Sequence, residues 1–473
     1  MTLLEYLQKY TKQNAIPMHM PGHKRKGELA PYLQQLCAGC DLTEINNMDD
    51  LYAPTGILKE CQQRAQELWH SSNSYFLVNG STCGILAGIR ACTGCGDRIL
   101  VDRNCHKSVY NAIELCKLSP VYILPQMLED VPVYADIDTN EVKKTLEINN
   151  DIKLIVLTSP TYEGVISDIK AIADLAHSYG IPVLVDEAHG AHLNLSAYFT
   201  GGAVAAGADV VVQSLHKTLP SLTQTAVLHL NSQLVSPKNI QRQIAVFQTS
   251  SPSYLLMSSI DSCVDLLSNN PGLFENWYNN LEYFKKLIKP LKHLSVLNYT
   301  GRCAKLYGFD KSKIVISTAG TSISGKKLMD ILRSEYNIEL EMCCGDYAIA
   351  MTGIADSKND FAHLANALLS IDKAVLKNNR TSVFTAITKL PQERLNIAAA
   401  SNVSRTEVPI AESVGKTCGE YVWIYPPGVP IITPGEIINT ETVDIIESAV
   451  KNKMNLQKTV TESSCCIAVI KEN

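Results

Sequence analysis

Three stretches of this chain read as strands shielded from water on both faces. KLIVLTSP (Lys153 to Pro160), IPVLVDEAHG (Ile181 to Gly190) and GADVVVQSLHK (Gly207 to Lys217) are apolar runs that end in polar residues. Strict alternation would mean one wet face. A continuous run means burial on both, as in parallel sheets covered by helices. DIKAIADLAHSYG, between the first two, supplies such a helix, with Ser167 or Asp168 as its cap and Gly180 closing it. Upstream, ILKECQQRAQELW reads as an amphipathic helix and SYFLVNG as a strand. STCGILAGIRACTG is a second helix, DRILVD a strand, and NCHKSVYNAIELC the start of another helix. The expected fold class is α/β, a mostly parallel central sheet with helices on both faces, over residues 56–290.

The pattern changes after Leu291. Short runs (SKIVISTAG, YNIELEM, DYAIAMTG) alternate with the helices GKKLMDILRSEY and FAHLANALLSIDKAVL, which predicts a smaller α+β domain over 291–372. Residues 373–473 form a C-terminal region: a helical or extended bridge to about 400, a Pro-rich loop and strand in EYVWIYPPGVPIITPGEII, and a frayed tail over the last dozen residues. Residues 1–55 form an N-terminal segment, in which MHMPGHKRKG should be irregular.

Composition excludes several classes. Across 473 residues, 46% are hydrophobic and 19% charged, enough for a large core. The net charge of −5 argues against a nucleic-acid binder. No signal-peptide core and no run of 18 apolar residues is present, so the cytoplasm is the expected location. The 15 cysteines are odd in number in a long chain, unlike a secreted disulfide framework. Cys37 with Cys40 and Cys92 with Cys95 form C-x-x-C pairs, but 51 residues separate them, too many for a compact zinc ribbon. They read as reduced or incidental thiols, Cys465 and Cys466 read as accessible ones, and no metal is expected.

Ligands of open α/β sheets bind beyond the carboxyl ends of the strands. Asp186, Lys217, Thr158 with Ser159, and the turn Gly80-Ser81-Thr82 all fall at such ends. Each alone has an ordinary structural reading as a cap or surface residue. Together they match one cofactor, pyridoxal phosphate. It needs an amine for its aldehyde, an acid beside its ring nitrogen, and helix N-terminal amides for its phosphate.

The sequence resembles the fold type I pyridoxal-phosphate enzymes, and among them the Orn/Lys/Arg decarboxylase family. The carrying segments are MPGHKR, DLTEINNMDDLYAPTG, FLVNGSTCG, DRNCHKS, SPTYEGV, VDEAHGAH, QSLHKTL, SPSYLLMSSID and YPPGVPIITPGE, in family order along nearly the whole chain. The resemblance implies that Lys217 forms the Schiff base and that Asp186 pairs with the pyridinium nitrogen. It implies that Ala188 lies against one ring face and His106 stacks on the other. Ser81, Thr82, Ser214 and His216 would contact the phosphate, and Ser251 would reach it from the partner of a homodimer. His189 is close enough in sequence to reach the cofactor or the substrate carboxylate, with a structural histidine as the alternative. His19 and His23 would lie in a loop near the site. The MPGHK-like segment starts at residue 20, so the likeness is to the short form without a wing domain.

The implied reaction is decarboxylation of a basic amino acid, arginine favoured over lysine or ornithine. Its distal cation would need an acid, for which Glu436, Asp49 and Asp50 are candidates. An aminotransferase or aldolase-type lyase would share the lysine, the aspartate and the cradle. No residue here matches the arginine that an aminotransferase uses for the substrate carboxylate. A binding protein on an inherited fold would be signalled by loss of Lys217 or Asp186, and both are present. A metal hydrolase built on DEAHGAH would lack the H-x-x-x-H pair.

Overall fold

In a computed structural model of the chain, residues 16–19, 22, 24, 31–32, 42–44, 48–128, 131, 133–297, 306–378, 387–425 and 428–471 are described. The apolar runs become seven strands of one sheet: β1 (Asn73–Leu77), β2 (Arg98–Asp102), β3 (Ser119–Ile123), β4 (Ile152–Thr158), β5 (Val183–Asp186), β6 (Val210–Ser214) and β7 (Ala226–Leu230). Their spatial order is β1-β7-β6-β5-β4-β2-β3. All neighbouring pairs are parallel except those of β7, which runs antiparallel to β1 and β6.

Helices cover both faces, and the strand residues divide between them with period two. Leu154 and Val156 enter one apolar cluster with α2 (Gly80–Cys92) and α3 (Lys107–Cys116). Ile155 and Leu157 enter another with α4 (Thr139–Ile148) and α5 (Ile169–Ser178). A strand sandwiched this way has no wet face, hence the unbroken apolar runs. The Asp168 side chain accepts from Ala171 N at 3.0 Å to cap α5, and Gly180 takes φ +71° beyond its end. Close packing of α2 on the sheet depends on Gly84, where a Cβ would come within 2.6 Å of Leu77 and 2.8 Å of Val212.

A four-stranded antiparallel sheet follows: β8 (Ser295–Val296), β9 (Lys313–Ser317), β10 (Met342–Cys344) and β11 (Tyr347–Met351), in the order β8-β9-β11-β10. Helices α6 (Gly325–Tyr336) and α7 (Lys358–Ala374) join its core. The run YNIELEM is split. Its first half, Ile338–Leu340, pairs in parallel with Ile16–Met18 instead of joining the sheet. A Cβ on Gly22 would lie 2.5 Å from Thr218 C, so only glycine lets this strand of chain pass the turn that follows β6.

One expectation fails. The C-terminus is not a frayed tail: Cys466–Ile470 is a strand paired antiparallel with Arg405–Pro409. Ile467, Ala468 and Val469 are buried. Buried Glu420 accepts from the backbone of Val460, Thr461 and Ala468 and fastens the segment. Proximity to a chain end suggested fraying, but CIAVI is an apolar, β-branched run that finds both a strand partner and a core. Ile467→Ala should therefore cost roughly 2–5 kcal/mol in denaturant unfolding. Unchanged stability would return these residues to the status of a tail.

Candidate active site

The sheet register sets Thr158 beside Asp186, at the carboxyl ends of β4 and β5. Next to them, β6 ends at Ser214 and passes into a single helical turn, Leu215–Thr218, which carries Lys217. These ends open into a cleft of about 310 Å³. Of the residues expected from the sequence, Lys217, Asp186, Ala188, His189, His106, Ser81, Thr82, Ser214 and His216 all line it.

Lys217 Nζ lies 2.9 Å from His189 Nε2. Burial pulls the amine down to about 8, against the opposing charges of Asp186 and Glu341 and with help from Lys313. Burial raises the Asp186 carboxyl above its usual range, and the Lys217 charge acts the other way. Ala188 N donates to Asp186 Oδ1 at 3.1 Å, which orients the carboxylate. Burial, then the charges of Lys217 and Lys313, hold His189 well below the usual histidine range, so it is neutral. His106 is pushed down to about 3, first by burial and then by Lys217. Its Nδ1 accepts from Ser108 N at 3.2 Å, because His106 is the N-cap of α3. The proton of the neutral ring therefore sits on Nε2.

The other end of the cleft suits an anion. Helix α2 starts there at Gly80, and the Asn79 side chain makes no cap. Its first-turn amides are left to a ligand. The buried atoms Ser214 Oγ and Thr158 Oγ1 have no hydrogen-bond partner among the described residues, nor does His189 Nδ1. Such groups are costly unless something binds them. A phosphate at the helix, an aldehyde at Lys217 and a ring nitrogen at Asp186 would use the three regions together, so these residues fit pyridoxal phosphate.

Sequence comparison agrees. Residues 1–304 match the Orn/Lys/Arg decarboxylase major domain, and residues 375–453 match the C-terminal domain of the same family. The chain belongs to the Orn/Lys/Arg decarboxylase family. An arginine decarboxylase of Bacillus anthracis is 32% identical over 99% of this chain and 97% of its own. One of Bacillus subtilis is 31% identical over 98% and 97%. The crystal structure of the Francisella novicida lysine decarboxylase superposes with a TM-score of 0.75 at 16% identity, covering 99% of this chain and 83% of that one. The protein is thus a decarboxylase of basic amino acids, and pyridoxal phosphate is its cofactor.

Other candidates fall elsewhere. Ser251 is exposed and outside the cleft of its own chain. His19 gives its carbonyl to buried Lys24 at 2.9 Å, and His23 lies outside the described residues. Cys92 ends α2 and Cys95 is exposed, while Cys37 and Cys40 lie outside the described residues. Two acids proposed for the substrate cation are engaged in holding the fold. Glu436 Oε2 meets Arg103 Nη2 at 3.0 Å with both side chains buried. Asp49 accepts from the backbone of Asp50, Thr55, Gly56 and Leu58, which caps the first helix of the large unit. Asp50 accepts from Tyr52 N in an exposed turn.

Sequence reasoning assigned no role to Tyr162, although it sits in the quoted SPTYEGV. Its ring lies 4.4 Å from that of His189, and its hydroxyl donates to Glu341 Oε1 at 2.6 Å. In the opposite sense, Tyr347 donates to Glu163 Oε1 at 2.9 Å. The loop after β4 and the β10–β11 region are thus joined by two tyrosine–glutamate pairs. Nothing in the sequence pointed to Glu341 or Lys313, since their spacing from the motifs carries no pattern.

Two outcomes follow. Reaction of the apoprotein with pyridoxal phosphate should quicken with pH, reach half its limiting rate near pH 8, where half of Lys217 is neutral, and level off above it. Stopped-flow rates still climbing steeply at pH 10 would contradict a desolvated amine. Glu436→Gln should destabilise the protein by on the order of 3–5 kcal/mol, because it strands the buried Arg103 charge. A raised KM with an unaltered unfolding midpoint would return Glu436 to the substrate.

Proposed function

We propose that this decarboxylase acts on arginine, as a cytoplasmic homodimer with active sites shared between subunits. The observation that carries the proposal is the desolvated Lys217 amine, within hydrogen-bonding distance of neutral His189 and beside Asp186, in a cleft open to an anion at its far end. Near-complete coverage by the Bacillus arginine decarboxylases supports the substrate. Among the described residues no helix is long and apolar enough to cross a membrane, which suits the cytoplasmic reading. Exposed Ser251 is left for a second copy, which suits the dimer.

Bound pyridoxal phosphate supplies an aldehyde for the substrate amine and a conjugated ring that accepts the electron pair left when CO2 departs. The chain's residues do the rest. Asp186 would hold the proton on the ring nitrogen, where a carboxylate would keep the positive charge that makes the ring electron-poor. The first turn of α2, with Ser81, Thr82, Ser214 and His216, would hold the phosphate. Ala188, having only a methyl group, would leave room for the ring on one side, and His106 would hold it from the other. Lys217 Nζ, partly neutral near physiological pH, would hold the cofactor's aldehyde end and would be the group placed to return a proton to Cα. His189 Nε2 accepts from Lys217 and keeps the amine aimed into the cleft.

With Glu436 and Asp49 engaged elsewhere, Glu341 takes the part of the acid that meets the substrate's distal cation. It is linked through Tyr162 to the cleft wall, and its charge acts on Lys217. A side-by-side CO2-release assay on arginine, lysine and ornithine tests the reading. Arginine should give the highest kcat/KM, and Glu341→Gln should raise its KM about tenfold, the loss of a charge-assisted contact of roughly 1.5 kcal/mol. Lys217→Ala should abolish both turnover and the yellow colour of the purified protein. Equal rates on all three substrates would defeat the arginine assignment, and a colourless wild type would defeat the site.

A further inference from the structure

Beneath the cleft lies a buried polar cluster that the mechanism above does not use. Asp310 stands at its centre. Its Oδ2 meets Lys313 Nζ at 2.7 Å and its Oδ1 meets His192 Nε2 at 3.0 Å, and all three side chains are fully buried. Ser312 donates twice to the same carboxylate, from N at 2.9 Å and from Oγ at 2.7 Å. Burial works to neutralise Asp310, but His192 and Lys313 overcome it and hold the carboxyl below its usual range. Burial keeps His192 low, so it is a neutral ring that donates from Nε2 to Asp310. Its Nδ1 then accepts from Thr218 Oγ1 at 3.2 Å.

Both outer arms of the cluster end on the catalytic machinery. Thr218 is the neighbour of Lys217 in the same helical turn. Lys313 Nζ donates to the carbonyl of His189 at 3.1 Å, and His189 is the side chain that meets the Lys217 amine. The two ends of the 2.9 Å Lys217–His189 contact are thus fixed from below by one carboxylate. A buried ion pair is a poor source of stability, since apolar residues of the same shape serve as well or better. A better-attested use is to enforce one geometry.

We infer that Lys313, Asp310 and His192 are positioning residues, which hold the Lys217 amine and the His189 ring in register for the reaction. The inference rests on Lys217 being the reactive amine. Lys313 also acts on that amine by its charge. Among the described residues, the charged and titratable groups that face Lys217 are Asp186 and Glu341, which favour its protonated form, Lys313, which opposes it, and the neutral groups His189, His106 and Tyr162. Removing Lys313 alone leaves Asp310 uncompensated beneath the site, which makes the surroundings of Lys217 more negative and its proton harder to remove. Removing Asp310 and Lys313 together cancels most of that charge effect and leaves only the loss of geometry.

The test compares the wild type, Lys313→Met and the double variant Asp310→Asn/Lys313→Met. Cofactor-free protein is labelled with an amine-acylating reagent across a pH series, and acylation of Lys217 is quantified by peptide mass spectrometry. Kinetics of the loaded enzymes and circular dichroism accompany the labelling. In Lys313→Met the pH of half-labelling should rise by about one unit, as expected for loss of a nearby opposing charge. In the double variant it should return towards the wild-type value, while kcat stays at least tenfold low with KM little changed, the mark of misplacement and not of weaker binding. Restoring Lys313 in Asp310→Asn/Lys313→Met should recover kcat only in part. A folded Lys313→Met with wild-type half-labelling, or a folded double variant with wild-type kcat, overturns the inference. Should Lys313→Met not fold, the double variant decides alone. Failure of the underlying reading is separate: borohydride reduction of the loaded wild type would then fix the cofactor to a residue other than Lys217.

Discussion

An amine withheld from water beside a carboxylate is the constraint around which the molecule is arranged. In bulk water a lysine is protonated and unreactive at neutral pH. Burial takes Lys217 down to about 8 although Asp186 pulls the other way. The two groups come from adjacent strands, β5 and β6, whose parallel alignment brings their carboxyl ends side by side. A parallel sheet needs helices on both faces, and the helix after β1 brings its uncapped first turn to the same edge. The buried amine, the carboxylate beside it and the open helix start are therefore three consequences of one topology.

What surrounds this edge is more heavily engineered than the sheet itself. Arg103 leaves β2 and pairs with Glu436 from the C-terminal region, and its guanidinium lies over the Tyr122 ring at 4.9 Å to the centroid. Three residues on, His106 caps α3 and turns its ring into the cleft. The C-terminal region thus fixes the approach to one wall, and the four-stranded sheet fixes the other through Tyr162 and Lys313. The glycine of MPGHKR has a comparable part. Gly22 lies against the turn that carries Lys217, where a methyl group would collide with Thr218.

The strands and helices near the cleft were legible because their apolar runs are long and their caps are chemically distinct. ILKECQQRAQELW and GKKLMDILRSEY became helices over the same residues that their periodicity marked. The final strand was not legible, since position at a chain end says nothing about whether a partner strand exists elsewhere, and Arg405–Pro409 lies 61 residues upstream of Cys466. In the site, residues carried on motifs were placed in one cleft because motifs encode strand ends. Glu436 and Asp49 illustrate the limit. A carboxylate in a motif can serve the backbone or an arginine as readily as a substrate, and only distances separate these uses. Lys313, on β9, and Glu341, just before β10, lie far from the motifs in sequence and act on the site through tertiary contact alone.

The paired tyrosine–glutamate contacts carry one more consequence. Each phenol donates across the same seam in the opposite direction, Tyr162 to Glu341 and Tyr347 to Glu163. Two bonds at separate points along one seam hold the wall behind His189 against rotation as well as separation, which a single bond would not.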